Sequence, residues 1–146
     1  TNFISLYKFS LEMKEQVFDP VRRKKVALTP EESVRQQLIY YLSNTLGYPI
    51  SRMVCEYSVE INGLKYRGDL VIMDKELNPF FLAECKAPSI KIGRDTFEQI
   101  IRYNSALGVK YLLLTNGMTT YFASFDPNCG TYQFITEIPP YNELFR

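Results

Sequence analysis

Hydrophobic and polar residues alternate along the chain with two periods, and each period predicts a different kind of element. The stretch TPEESVRQQLIYYLSNTLGYP, from Thr29 to Pro49, has the helical period. Thr29 is a good N-cap, Pro30 suits the first helical position, and Glu32 completes a capping box. Gly47 and Pro49 follow the last turn as stop signals. These residues predict a helix.

From Met53 onwards the period changes to two, which is typical of half-buried strands. MVCEYSVEI (53–61) and LKYRGDLVIMD (64–74) flank Asn62–Gly63, a pair that favours a type I′ turn, so they predict a β-hairpin. Further strands are predicted at FFLAECKAP (80–88), at KYLLLT (110–115), at TTYFASF (119–125) after an Asn116–Gly117 turn, and at TYQFITEI (131–138) as an edge strand.

The order of these elements predicts an α/β fold with a central mixed β-sheet flanked by helices. RDTFEQIIRYNSALG (94–108) predicts a second helix, and a helical crossover between the strands at 80–86 and 110–115 makes those strands parallel. The length of 146 residues, 46% of them hydrophobic, fits one compact domain. We assign residues 29–146 to it. The sequence of residues 1–28 is typical of short extended pieces broken at Asp19–Pro20, and it predicts an arm or hairpin packed on the domain.

Composition removes several classes of function. The chain has no histidine, so Ser-His-Asp and Cys-His catalysis and imidazole zinc sites are excluded. The cysteines, Cys55, Cys85 and Cys129, are far apart and form no C-x-x-C pair, which favours a reducing cytoplasm. No apolar stretch is long enough to span a membrane, so no membrane partner is expected. A start at Thr1 rather than Met is what we expect of a trimmed chain or a fragment of a longer one.

The formal net charge of +1 argues against a wholly basic surface. The cluster from Arg22 to Lys25 could meet a polyanion locally, or it could be a solvated edge or hairpin. Any nucleic-acid binding is therefore expected to be local.

Three charged residues stand on two neighbouring predicted strands. Glu84 and Lys86 are two residues apart at the end of an apolar run, and Asp69 begins the apolar part of the preceding strand. A short connection would bring Asp69 and Glu84 together near one end of the sheet. Two close carboxylates repel unless a cation lies between them, and a hard divalent ion is the natural occupant. The alternative is that Glu84 and Lys86 only pair with each other or with solvent at the end of the strand.

This arrangement, GD followed after fourteen residues by ECK, resembles the PD-(D/E)xK nuclease superfamily, with Gly68 where the name has proline. The ordered set TPEESVRQQLIYYL…GYP, YRGDLVI, FLAECKAP, QIIRY and YLLLTNG is similar to the N-terminal nuclease domain of type I restriction enzyme R subunits, over roughly residues 17–126. The resemblance implies a restriction-endonuclease-like core and metal-dependent hydrolysis of DNA. Full-length R subunits also carry a helicase-type motor, which this chain lacks.

The resemblance also implies roles for individual residues. Asp69 and Glu84 would be ligands of Mg²⁺, for which Mn²⁺ can substitute, with the backbone carbonyl of Cys85 as a further ligand. Lys86 would be the catalytic lysine. Gln99 and Tyr103 match the Q-x-x-x-Y element of the family. Residues four apart share one edge of a helix, where they either cap the core or face DNA.

Helix one supplies another acidic candidate. Glu32 is explained by the capping box, whereas Glu31 falls on the face that should pack on the sheet, so we nominate Glu31 for the site, with Glu32 as runner-up. Arg35 is either a phosphate contact or the partner in a salt bridge. Lys91 and Arg94 are further candidates for DNA contact.

The leading hypothesis is a Mg²⁺-dependent endodeoxyribonuclease domain with DNA as its partner, acting with a helicase-type motor and restriction-modification subunits. The main alternative is a catalytically idle nucleic-acid-binding or docking module that retains the nuclease fold, which the near-neutral charge favours. A third alternative is an α/β protein with an unrelated small-molecule site.

Overall fold

A two-stranded hairpin precedes the main sheet. The computed structural model describes residues 15–144, and in it β1 (Gln16–Asp19) and β2 (Lys24–Ala27) pair antiparallel. The basic cluster from Arg22 to Lys25 occupies the turn and the start of the second strand. The part of the predicted arm or hairpin before residue 15 lies outside the described residues, and the domain boundary after residue 28 stays a prediction.

The main sheet has six strands in the order in which they occur along the chain. The strands are β3 (Met53–Ile61), β4 (Leu64–Met73), β5 (Pro79–Cys85), β6 (Tyr111–Thr115), β7 (Thr120–Asp126) and β8 (Thr131–Phe134). Every neighbouring pair is antiparallel except β5 and β6, which are parallel and joined by helix α2 (Arg94–Asn104). The predicted mixed α/β sheet with one helical crossover is confirmed.

The two helices bury opposite faces of this sheet. Helix α1 (Pro30–Tyr40) packs Val34 and Leu38 into one core cluster, which takes in Leu70, Ile72, Phe81, Ala83 and Leu113 from the strands. Helix α2 packs Phe97 into the other cluster, with Val71, Leu82, Leu112 and Leu114. Every residue of β6 is buried because both faces of the sheet are covered there, as its continuous apolar run predicts.

The hairpin of β3 and β4 turns at Asn62–Gly63, where both residues have positive φ, as a type I′ turn requires. This turn fixes the register that pairs Ile61 with Leu64 and, further along, Cys55 with Leu70. The register matters because it decides which residues of β3 lie beside Asp69.

Two local features differ from the predictions. The α-helical hydrogen bonding of helix one ends at Tyr40 and continues as a π-helical segment (Tyr41–Thr45), in which the Ser43 hydroxyl donates to the Ile39 carbonyl at 2.8 Å. The described part of the chain also ends in a short helix α3 (Tyr141–Leu144), for which the sequence analysis gives no element. The Tyr141 N–H donates to the Leu46 carbonyl at 2.8 Å, which holds this helix at the end of helix one.

Candidate active site: a carboxylate-lined cleft

A cleft of about 360 Å³ opens between the start of α1 and the strands β3, β4 and β5. Four of its lining residues are acidic, two are arginines, and a tyrosine and a glycine complete it: Glu31, Glu56, Asp69, Glu84, Arg35, Arg67, Tyr57 and Gly68. The structure thus brings together Asp69, Glu84 and Glu31, which the sequence analysis nominated from three separate elements.

Asp69 occupies the point where β4 and β5 stop pairing through their main chains. The ladder between these strands runs as far as Leu70 opposite Ala83, and beyond it the Asp69 Oδ2 accepts a hydrogen bond from the Cys85 N–H at 2.6 Å. The carboxylate therefore takes the place of a main-chain acceptor. This hydrogen bond fixes Asp69 beside the residue that follows Glu84.

Gly68 allows β4 to lie close to the residues beneath the cleft. A Cβ at this position would lie 2.9 Å from the Leu82 Cγ and 3.0 Å from the Val71 Cγ2, which are buried core atoms. Any larger residue, proline included, would have to displace Leu82. The packing explains why glycine precedes Asp69 here.

Glu84 has an environment that disfavours its ionised form. Burial raises its pKa to about 7, the negative charges of Asp69 and Glu31 add to the effect, and the positive charges of Lys86 and Arg67 oppose it. A cation placed among these carboxylates would relieve the repulsion and favour the ionised carboxylate.

Lys86 is partly buried directly after β5, and its N–H donates to the Thr115 carbonyl at 2.8 Å. That bond extends the pairing of β5 with β6 and fixes the main chain of Lys86. Among residues 15–144 neither Glu84 nor Lys86 forms an ion pair, and Lys86 does not line the cleft. The salt bridge between Glu84 and Lys86, which was one form of the alternative explanation of ECK, is not formed.

The two glutamates of the first helical turn have different surroundings. Glu31 is exposed and faces the cleft, whereas Glu32 is buried and pairs with Arg22 and Arg35. The predicted capping box is only half formed. The Glu32 N–H donates to the Thr29 Oγ1 at 3.1 Å, but the Glu32 side chain turns to the two arginines, which a buried carboxylate needs more than it needs the cap.

Arg35 is 6% exposed, and its guanidinium already has several partners. Its Nε donates to Glu32 at 2.9 Å, its Nη1 donates to the Asp69 carbonyl at 3.1 Å, and Glu56 lies 3.8 Å away. The structure therefore favours the salt-bridge alternative for Arg35 over a direct phosphate contact.

Four nominated residues on α2 or just before it do not line the cleft. The Tyr103 hydroxyl donates to the Lys65 carbonyl, and its ring is 5.5 Å from that of Tyr66. The other three, Gln99, Lys91 and Arg94, are exposed on α2 or just before it. Arg94 also pairs with Glu98 at 3.3 Å and lies over the Phe134 ring at 4.3 Å. Their roles at the site stay predictions.

Sequence reasoning missed Glu56, Tyr57 and Arg67. Counting back from the Asn62–Gly63 turn would have placed Glu56 opposite Asp69, because the register pairs Cys55 with Leu70 on one side and Tyr57 with Gly68 on the other. Glu56 has a φ of 54°, and this local irregularity in β3 has no signal in the sequence.

No three Asp, Glu or Cys side chains within residues 15–144 form a group that could hold a metal ion. The residues nominated as ligands are two carboxylates and one main-chain carbonyl. In the same described part of the chain, no helix combines the length and hydropathy that crossing a membrane requires.

The combination of fold and cleft agrees with the comparison to known families. The sequence model of one protein family, the type I restriction enzyme R protein N terminus, matches residues 30–139, so the chain belongs to that family. The predicted relationship to R subunits is thereby confirmed at the level of the family.

The fold is also similar to that of a solved structure, a fragment of a protein assigned as an HsdR subunit of a type I restriction enzyme from Vibrio vulnificus YJ016. The two share 21% sequence identity with a TM-score of 0.54, over 81% of this chain and 25% of the other. This chain thus spans about a quarter of the length of that protein. No curated protein matches the sequence.

Proposed function

We propose that the chain is a Mg²⁺-dependent endodeoxyribonuclease domain of the PD-(D/E)xK superfamily, with a restriction-endonuclease-like core, that hydrolyses DNA phosphodiester bonds. The observation that carries the proposal is the convergence of Asp69, Glu84 and Glu31 on one cleft, with the Asp69 carboxylate hydrogen-bonded to the Cys85 N–H. A cluster that served only the fold would be paired internally, as Glu32 is.

The donor set suits a hard divalent cation. Asp69 and Glu84 supply carboxylate oxygens, the preferred ligands of Mg²⁺ and Mn²⁺. In a strand the N–H and C=O of one residue point to the same edge, so the Cys85 carbonyl is directed toward β4, as its N–H is. Burial and the negative charge of Asp69 raise the pKa of Glu84, so a cation bound there would favour the ionised carboxylate. Bound there, Mg²⁺ would polarise the phosphodiester and lower the pKa of a water molecule.

The remaining roles belong to the chain itself. Lys86, fixed by the hydrogen bond of its N–H to Thr115, would place an ammonium near the negative charge that develops on the phosphate. Glu31 would orient water at the mouth of the cleft, because it is exposed there and has no ion pair within residues 15–144. Arg35 acts indirectly, since it holds the Asp69 main chain in place.

The partners follow from the family. We propose that DNA is the substrate and that a helicase-type motor and the other restriction-modification subunits deliver it. The unpaired cysteines, Cys55, Cys85 and Cys129, are consistent with action in the reducing cytoplasm.

The test is a plasmid-cleavage assay with Mg²⁺, carried out with the partner subunits that support activity. Glu84→Gln and Lys86→Ala should each reduce cleavage roughly a hundredfold or more, the scale of losing one preorganised electrostatic group. Lys86→Ala should keep the wild-type melting temperature within a few degrees, because Lys86 forms no ion pair within residues 15–144. Glu84→Gln should melt at or above the wild-type temperature, because it removes a buried carboxylate whose ionisation is disfavoured.

Glu60→Gln and Lys65→Ala are the matched controls, because both residues are exposed and lie outside the cleft. They should cleave at the wild-type rate. Full cleavage by Glu84→Gln would show that Glu84 is not part of the active site. No cleavage by the wild type with Mg²⁺ and the partner subunits would favour the idle DNA-binding or docking module instead.

A further inference from the structure

The charged side chains that line the cleft are mostly negative, which disfavours the entry of DNA. Four of its eight lining residues are carboxylates, Glu31, Glu56, Asp69 and Glu84, whereas only Arg35 and Arg67 are cationic. A phosphodiester backbone approaching this wall would meet net repulsion. A cationic side chain free to bind phosphate would reduce this repulsion, in addition to the charge of a bound divalent ion.

Arg35 cannot supply that charge without giving up its present partners. It is 6% exposed, and its donors are directed at Glu32 and at the Asp69 carbonyl. If Arg35 moved to bind phosphate, the buried Glu32 carboxylate would lose one of its two ion-pair partners within residues 15–144. Leaving a buried charge partly unpaired lowers the stability of the fold.

Arg67 is in the opposite situation. It is exposed, and within residues 15–144 its guanidinium has neither an ion pair nor a hydrogen bond. It lies two residues before Asp69 on β4, in a strand whose main chain is paired with β3 through Ser58. Its charge also reaches Glu84, because Arg67 is among the groups that lower the pKa of that carboxyl. The main chain of Arg67 is thus held in the sheet, while its guanidinium lines the same cleft as the carboxylates and has no ion-pair partner within residues 15–144.

The chemistry of the side chain suits a phosphate. A guanidinium offers parallel N–H donors that match two phosphate oxygens, and it is less strongly hydrated than a lysine ammonium. We propose that Arg67 binds the backbone phosphate of DNA in this cleft and so positions the phosphodiester beside Asp69 and Glu84. This inference rests on the proposed function for its substrate, but it concerns binding and can be tested apart from cleavage.

The experiment measures equilibrium binding of unrelated duplex DNA sequences to the 146-residue chain as salt concentration is varied, without divalent ions so that no cleavage occurs. Arg67→Ala should weaken binding about tenfold for every sequence and reduce the slope of log affinity against log salt by about 1, as loss of one phosphate contact predicts. Arg67→Lys should restore the slope but only part of the affinity, because the charge returns without the planar fork.

Lys65→Ala is the matched control, since Lys65 is an exposed cation on the same strand that does not line the cleft. It should bind DNA as the wild type does. Equal weakening by Arg67→Ala and Lys65→Ala would overturn the inference, because it would show only a general charge effect. So would an unchanged salt slope in Arg67→Ala, or a wild type that binds no duplex at all.

The outcome separates the two proposals. If Arg67→Ala loses the phosphate contact while the wild type never cleaves DNA with Mg²⁺, then the nuclease proposal fails and the binding role of Arg67 stands. If the wild type cleaves and Arg67→Ala binds DNA as the wild type does, then the role of Arg67 fails and the nuclease proposal stands.

Discussion

At the scale of single residues, the ionisation of Glu84 links the proposed site to the stability of the fold. Burial and the charge of Asp69 raise its pKa from an ordinary value of 4.5 to about 7. An acid with a raised pKa holds its proton more tightly in the folded than in the unfolded state. Between about pH 4.5 and pH 7 the folded state therefore binds more protons at this residue, and the free energy of unfolding falls as pH rises through that range.

Replacing Glu84 with the neutral isostere glutamine should remove this pH dependence. In urea unfolding with a chelator present, Glu84→Gln should be more stable than the wild type at pH 8, by on the order of 2 kcal/mol, and nearly equal to it at pH 4. The difference between the proteins isolates Glu84, because other titrations cancel. Glu60→Gln, at an exposed position, should show no such trend. An equal difference at both pH values would contradict the assignment.

The sequence predicted site residues whose positions follow from neighbouring strands, and it missed others whose positions depend on tertiary contacts. Asp69 and Glu84 stand on strands joined by a short connection, so their convergence follows from the chain alone. Arg67 gave no such signal, because an arginine in an alternating strand usually faces solvent. Glu32 can be buried because it pairs with Arg35 on its own helix and with Arg22 in the β1–β2 hairpin. The contact with Arg22 joins two separate elements, so no local sequence pattern predicts it.

At the scale of elements, a chain of buried charges ties the hairpin of β1 and β2 to helix α1. Asp19 is fully buried and accepts from the Arg22 guanidinium and from the Val21 N–H at 2.8 Å. Burial alone would raise the pKa of Asp19, but these hydrogen bonds hold it below its ordinary value. Arg22 also pairs with Glu32, and Glu32 pairs with Arg35. The Arg35 guanidinium in turn donates a hydrogen bond to the Asp69 carbonyl. The hairpin is thus connected to the cleft.

Breaking this connection at Arg35 should be costly. Arg35→Ala leaves Glu32 with Arg22 as its only ion-pair partner within residues 15–144 and leaves the Asp69 carbonyl without its side-chain donor. We expect a loss of about 3–5 kcal/mol in the free energy of unfolding by urea, or failure to fold. Arg35→Lys keeps the charge and should lose clearly less than Arg35→Ala.

Glu98→Ala provides the contrast, because it removes an exposed pair with Arg94 one turn away on α2. Its cost should be within about 0.5 kcal/mol. A comparable loss in Arg35→Ala and Glu98→Ala would show that the network contributes no more than a surface pair.

The elements themselves were predictable where local signals were strong. The Asn62–Gly63 turn fixed the β3–β4 hairpin, and the apolar run of β6 required cover on both faces. The end of helix one was less predictable, since Leu42 remains buried in the core through the π-helical segment and the apolar pattern continues beyond the last α-helical turn. Tertiary packing therefore decided the helix type where the sequence pattern did not.

At the scale of the whole molecule, one sheet unites both halves of the core. The cluster beneath α1 and the cluster beneath α2 share β4, β5 and β6, so neither can persist without the other. Unfolding of residues 15–144 should therefore be a single cooperative transition. A ligand that binds the cleft, which lies where α1 meets β4 and β5, should stabilise the entire domain rather than one edge of it.

This coupling turns thermal melting into an assay for the proposed metal site that needs no cleavage. A divalent ion at about ten times its dissociation constant adds about 1.4 kcal/mol to the free energy of unfolding and should raise the melting temperature by roughly 3–6 °C. We expect Mg²⁺ or Mn²⁺ at millimolar concentration to do this in the wild type at constant ionic strength. Glu84→Gln, which lacks one carboxylate ligand, should lose most of the shift, whereas Glu60→Gln should keep it. An equal shift in Glu84→Gln and the wild type would place the ion elsewhere and remove Glu84 from the metal site.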